Sequence, residues 1–153
     1  MSEQFGHLGN SELIEQQPIA FLCSTQCDGD AVLKAYEWAR QQCDLSSTII
    51  SGFHTPVEKD VYAILARRGA KLIHCLARSL PKRLSVEQQA LIVEGRLLLI
   101  SPNQISQLPR ATKISCAARN RFVAATANHI LVGYLHSESS LKQDLDGFKY
   151  RSL

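Results

Sequence analysis

Five short apolar runs constrain this chain more than any other feature. They are Ile19-Ala20-Phe21-Leu22-Cys23, Ser47-Thr48-Ile49-Ile50-Ser51, Leu72-Ile73-His74-Cys75-Leu76, Leu97-Leu98-Leu99-Ile100 and Ile130-Leu131-Val132-Gly133-Tyr134-Leu135. None alternates strictly between apolar and polar residues. A strand with one wet face alternates, whereas a strand covered on both faces is apolar throughout. The segments between the runs instead repeat their apolar residues at helical spacing. Buried strands alternating with helices predict an α/β fold, a Rossmann-like three-layer sandwich. Its sheet is expected to be mostly parallel, with five strands or slightly more, and its crossovers right-handed.

Start and stop signals place the helices. Asp28 or Asp30 can cap a helix carrying Ala31, Val32, Ala35, Trp38 and Ala39. Thr55 can cap a second, with Pro56 at its first position, Val57, Val61, Ile64 and Leu65 as its stripe, and Gly69 at its end. Ser85-Val86-Glu87-Gln88 has the form of a capping box for a helix reaching Glu94. A fourth helix runs from Lys113 to Ala127. Residues 1–17 read as a polar, weakly ordered lead with one helical turn near Ser11 to Gln16. Residues 18–136 form the domain, and residues 137–153 are a polar tail, expected to be partly ordered at best.

The chain of 153 residues is long enough to bury a core as one domain. Its first 18 residues carry no basic residue, and no apolar run approaches a membrane span, so a cytoplasmic protein is expected. None of the five cysteines sits in a C-x-x-C pair, so neither metal nor cofactor is expected. Cys23 and Cys75 lie in apolar runs and read as small buried hydrophobes. The net charge is only +3, but no Lys or Arg precedes Lys34. From Arg78 to Arg121 eight basic residues (Arg78, Lys82, Arg83, Arg96, Arg110, Lys113, Arg119 and Arg121) face only Glu87 and Glu94. That asymmetry suits a positive face for an anionic partner, or a solvated face balanced by the acidic N-terminal part.

Open sheets of this kind bind ligands outside the C-terminal strand ends. Ser24 and Thr25 follow the first run, Ser51, Gly52, Phe53 and His54 the second, and Arg78 and Ser79 the third. Arg119-Asn120-Arg121 lies in the helix before the fifth. Helix N-termini, hydroxyls and a glycine that admits close backbone approach suit phosphate, and arginine adds a charged fork. Plainer readings stand beside these. Ser and Gly are common turn residues, Phe53 can plug the core top instead of stacking a base, and His54 can be merely polar. Residues two apart on a helix point about 200° apart, so Arg119 and Arg121 cannot both face one cleft from mid-helix.

These residues resemble the DNA-processing protein A group. Ile49-Ile50-Ser51-Gly52-Phe53, then a helix ending in Arg68-Gly69-Ala70-Lys71, is similar to its strand, Ser-Gly-φ, helix and Gly-turn sequence. Arg119-Asn120-Arg121-Phe122-Val123-Ala124-Ala125 resembles its Arg-Asn-Arg signature. Ser51 to Lys59 with Cys75-Leu76-Ala77-Arg78-Ser79-Leu80 resembles a short single-domain branch still more closely. The resemblance runs from about Ile19 to Leu135. It implies a Rossmann-like domain that binds single-stranded DNA or a nucleotide, often as a homodimer, in DNA processing or recombination. Three departures stand out: Cys23-Ser24-Thr25 replaces Gly-Ser-Arg, His54-Thr55-Pro56-Val57-Glu58 replaces the Gly-x-Asp segment, and Ser137-Glu138-Ser139-Ser140 replaces a Gly-rich turn. The Pro-Gly-Gly-x-Gly-Thr run of nucleotide-processing relatives is absent and no paired carboxylates stand out, so hydrolysis is disfavoured. Three functions are weighed: a non-catalytic module for single-stranded nucleic acid, a sensor of a free nucleotide signal, and a nucleotide-cleaving enzyme using Glu58 and His54.

Overall fold

The computed structural model describes residues 4–153. The five apolar runs become β2 (Ile19–Leu22), β3 (Thr48–Ser51), β4 (Lys71–Cys75), β5 (Leu97–Pro102) and β6 (His129–Val132). Two further strands, β1 (Phe5–Gly9) and β7 (Arg151–Ser152), complete one sheet in the order β1-β5-β4-β3-β2-β6-β7. All neighbours are parallel except β1, which pairs antiparallel with β5. The helices are α1 (Gly29–Asp44), α2 (Pro56–Arg67), α3 (Val86–Val93), α4 (Lys113–Thr126) and the single turn α5 (Leu141–Asp144). This is the three-layer α/β sandwich expected from the alternation.

The apolar runs are continuous because each strand feeds two cores. Phe21, Ile49, Leu72, Leu97 and Leu99 point to one face, where Trp38 of α1, Val61 and Leu65 of α2 and Leu91 of α3 cover them. Trp38 stacks on Phe21 at 5.1 Å. The alternate residues Ala20, Leu22, Ile50, Ile73, Leu98 and Ile100 point to the other face, under Val123 and Ala124 of α4 and Leu141 of α5. A strand side chain that met water on either face would lose roughly 25 cal/mol for each Å² of apolar surface left uncovered. Cys23 and Cys75 are buried in these layers, as expected, and burial pushes both thiols up, Cys75 to about 12.

Both chain ends are more ordered than their polarity suggests. Residues 1–3 of the expected lead lie outside the described residues, but its remainder forms β1 and then a 3-10 turn, Ser11–Glu15. The turn matches the one expected near Ser11 to Gln16. β1 forms because β5 is buried along its whole length and its edge needs a partner. Gly9 ends β1 at φ 103°, where an added Cβ would lie 2.3 Å from the Leu97 carbonyl oxygen. No other residue fits there. The tail, expected to be partly ordered at best, supplies both α5 and β7.

Arg96, counted above with the basic segment, is turned inward. Its Nη2 donates to the carbonyls of Ala66 (2.7 Å) and Leu65 (3.2 Å), and its Nε to that of Ala70 (3.0 Å). A guanidinium there meets the negative end of α2 and satisfies carbonyls the helix leaves open. Its ion pair with exposed Glu94 at 3.4 Å contributes little. Arg96→Ala should lower the unfolding free energy by about 2–3 kcal/mol, since charge-assisted hydrogen bonds are each worth about 1.5–3 kcal/mol. A urea titration should show the midpoint fall with an unchanged slope; an unmoved midpoint would refute the role.

Candidate phosphate-binding cleft

β2 sits at the switch point of the sheet. From it the chain adds β3, β4 and β5 on one side, then crosses by α4 to β6 on the other. Loops leaving β2 and β6 therefore diverge, and a cleft opens between them. It has a volume of about 890 Å³ and is walled by the 23–25 loop, the start of α2, the exposed side of α4 and residues 138–144.

Six of the sequence-selected residues meet in this cleft: Ser24, Thr25, His54, Arg119, Asn120 and Arg121. Ser24 is buried and holds the switch point together. Its amide donates to the Tyr134 carbonyl at 2.9 Å, and its Oγ accepts from the His136 amide at 2.9 Å. Thr25 and His54 are exposed on the walls. Arg119 and Arg121 lie mid-helix in α4 and diverge as helix geometry requires: Arg119 is only 4% exposed, while Arg121 lies exposed on the flank.

Arg119 is the unusual residue. Its guanidinium packs flat on Gly52, where an added Cβ would stand 2.4 Å from Cζ and Nε. Its Nε donates to Asn120 Oδ1 at 2.9 Å, and Asn120 Nδ2 donates to Asp144 Oδ2 at 3.0 Å. Asp144, on α5, thus fixes the asparagine that fixes the arginine. No described residue accepts a hydrogen bond from the two terminal amino groups of Arg119. A buried cation without an ion-pair partner is costly, and an anion in the cleft would supply what the fold does not.

The opposite wall already contains its own anion. Glu58, buried at the start of α2, accepts from the amides of His54 (2.9 Å) and Thr55 (3.3 Å) on Oε1 and from Cys23 (2.9 Å) on Oε2. N–H groups at a helix start suit phosphate, but here a carboxylate occupies them. Half of this was readable, because Thr55-x-x-Glu58 is capping-box spacing. The bond to Cys23 was not, since it joins residues 35 apart in sequence. The acid–base role considered for Glu58 with His54 finds no support in a carboxylate so committed. With Glu58 spent on amides and Asp144 on Asn120, the charged cleft side chains left for a ligand among the described residues are Lys113, Arg119 and Arg121 against exposed Glu138.

The other selected residues lie elsewhere. Ser51 is fully buried, and its Oγ accepts from the Phe53 amide at 3.0 Å. Gly52 is the floor beneath Arg119. Phe53 is 4% exposed and does not stand on the rim. It adopts φ 45°, a left-handed conformation that costs a bulky residue about 1–3 kcal/mol and that the Ser51 hydroxyl helps to hold. Arg78 and Ser79 do not line this cleft. The Arg78 carbonyl accepts from Ser101 Oγ at 2.6 Å, and the Ser79 amide donates to the Leu108 carbonyl at 2.8 Å.

His74, passed over in the sequence, lies behind this floor. Its Nε2–H donates to the Gly52 carbonyl at 3.1 Å, because a carbonyl can only accept. Burial pushes its pKa down to about 4; the Gly52 bond opposes the shift, and the positive charges of Arg119 and Arg78 reinforce it. Between pH 6.5 and about 4 the unfolded chain binds a proton that the folded chain refuses. His74 stabilisation is therefore complete above pH 6.5 and is lost as pH falls towards 4, on the order of 3 kcal/mol in all. His74→Gln should flatten this part of the stability–pH curve in urea titrations; an unchanged slope would refute the burial argument.

No protein-family model matches the chain, and no curated protein sequence does. Solved structures match the fold. DNA processing protein A from Streptococcus pneumoniae superposes with a TM-score of 0.71 at 18% identity, over 97% of this chain and 54% of that one. The Helicobacter pylori protein, whose structure describes a single-stranded DNA binding mode, gives 0.71 at 17% identity, over 95% of this chain and 68% of that one. A molybdenum cofactor binding protein from Rippkaea orientalis is more distant, at 0.55 and 11% identity, over 84% of this chain and 68% of that one. The chain thus spans about half of the Streptococcus protein, and across that span it has the Rossmann-like fold of DNA processing protein A.

Proposed function

We propose that the cleft binds the phosphate backbone of single-stranded nucleic acid, without catalysis. One observation carries this reading: the buried Arg119 guanidinium, held by Gly52 and Asn120, keeps both terminal amino groups for a ligand in the cleft wall. A planar fork with two free donor groups matches a phosphate bidentately. Lys113 and Arg121 flank it at the surface and extend the positive track along α4. A strand fits this length better than a single nucleotide does. The single-stranded DNA binding described for the Helicobacter fold neighbour agrees with the reading. Ser24 braces the cleft mouth, and Thr25, His54 and Asn120 form its polar lining.

Fluorescence anisotropy with labelled single-stranded oligonucleotides tests this. Affinity should fall as salt rises, with a log–log slope of about −0.7 for each phosphate neutralised. Arg119→Ala should weaken binding roughly thirtyfold, about 2 kcal/mol, in the range of a charge-assisted hydrogen-bond pair. Gly52→Ala should act in the same direction by displacing the guanidinium. Lys113→Ala and Arg121→Ala should each cost less and shallow the salt slope. A slope of zero, or full affinity in Arg119→Ala, would refute the proposal. Tighter binding of a free nucleotide than of a strand would favour the sensor reading instead.

A further inference from the structure

We propose that Cys23 and Cys27 are a redox site, which hydrogen peroxide closes into a disulfide that reshapes one wall of the Arg119 cleft. The disulfide stands independently of any ligand; its effect on binding rests on the cleft reading above. The two cysteines sit at either end of the short loop between β2 and α1. The chain bends at the exposed Thr25 and Gln26, which turns the two ends towards each other. The thiols interact directly, with the Cys23 S–H donating to the Cys27 sulfur. Cys27 also packs against the apolar cluster that contains Cys23. Among the described residues, neither Cys43 nor Cys75 interacts with another thiol.

The surroundings assign the two roles. Cys23 is buried and Cys27 half-buried, so the oxidant reaches Cys27 first. Burial pushes both thiols up, but the bond from Cys23 supports charge on Cys27 and keeps the proton on Cys23. Cys27 is therefore the nucleophile. Its thiolate attacks one peroxide oxygen, the O–O bond breaks, and the released hydroxide takes up the Cys27 proton. A sulfenic acid is left on Cys27. The Cys23 sulfur then attacks the Cys27 sulfur, the S–O bond breaks, and the hydroxyl departs with the Cys23 proton as water. The two thiols give up two electrons and two protons, and the peroxide becomes two waters.

Both ends of the loop are anchored. The Cys23 amide donates to Glu58 Oε2 at 2.9 Å, and its Sγ rests over Gly133, where an added Cβ would stand 3.2 Å away. Asp28, next to Cys27, caps α1 by accepting from the Ala31 amide at 2.8 Å. A disulfide bond is about 2.05 Å long, shorter than any thiol hydrogen bond, so closure draws the loop ends together. The displacement falls on Thr25 and Gln26. Thr25 lines the cleft, and both residues face Glu138, Ser139 and Ser140 across a smaller recess of about 310 Å³.

The test treats the protein with hydrogen peroxide and follows the thiols by peptide mass. No Lys or Arg precedes Lys34, so trypsin leaves both cysteines in one peptide, residues 1–34. That peptide should become lighter by two hydrogen atoms and regain them with dithiothreitol. Cys27→Ser should abolish the change, and Cys23→Ser should stop at a Cys27 sulfenic acid that dimedone traps. The rate should rise about tenfold for each pH unit below the thiol pKa, as the thiolate fraction does. In fluorescence anisotropy, oxidised wild type should bind a single-stranded oligonucleotide more weakly than reduced wild type, and dithiothreitol should restore the affinity. Cys27→Ser should bind like reduced wild type with or without peroxide. A sulfinic acid on Cys27 without the lighter peptide, or a disulfide through Cys116, would overturn the redox pair. The lighter peptide with unchanged affinity would overturn its control of the cleft. If neither form binds the oligonucleotide, the cleft reading fails, while the peptide mass still decides the redox pair.

Discussion

A buried arginine organises the functional end of this fold. Arg119 lies flat on Gly52 and is held through Asn120 by Asp144. Putting a guanidinium there is unfavourable unless its donors are used. Among the described residues only its Nε finds an acceptor, so the geometry stores an attraction for anions. The arrangement needs a glycine at the end of β3, because any Cβ would strike the guanidinium. It also needs α5, a single turn in the polar tail, to bring the carboxylate that fixes Asn120.

Glu58 does the opposite on the facing wall. It brings its own negative charge to the amides of Cys23, His54 and Thr55 and so ties the β2 and β3 loops together. A backbone nest that could hold a phosphate is filled from within. The two buried charges divide the strand ends into a closed side around Glu58 and an open side around Arg119. Ser24 completes the frame by bonding β2 to the chain leaving β6. The departures from the DNA-processing pattern, Cys23-Ser24-Thr25 and His54-Thr55-Pro56-Val57-Glu58, are the residues that build the closed side.

Much of the fold was legible because burial on both faces leaves a direct trace: Leu97-Leu98-Leu99-Ile100 has no polar residue to turn towards water. The helix starts at Asp28, Thr55 and Ser85 follow from side chains that can cap. The edge strands were not legible. Phe5-Gly6-His7-Leu8-Gly9 has two glycines and little β propensity, and it becomes a strand because the fully buried β5 needs a partner. The site was legible in part. Arg119 and Ser24 were selected for their residue types and positions. Arg78 and Ser79 were selected on the same grounds, but bonds to Ser101 and Leu108 hold their loop away from the cleft.

By itself the sequence determined the layers, the strand order along the chain, the positions of the helix caps and the divergence of Arg119 from Arg121. Each follows from local periodicity or from the fixed turn of a helix. Only the tertiary structure decided which polar groups remain for a ligand. Glu58 meets Cys23 across 35 residues and Asn120 meets Asp144 across 24, and such long-range bonds leave no periodic trace. They satisfy the residues that looked most reactive. Among the described residues, the outer face of Arg119 remains unspent, as do the buried Thr55 Oγ1 and His74 Nδ1.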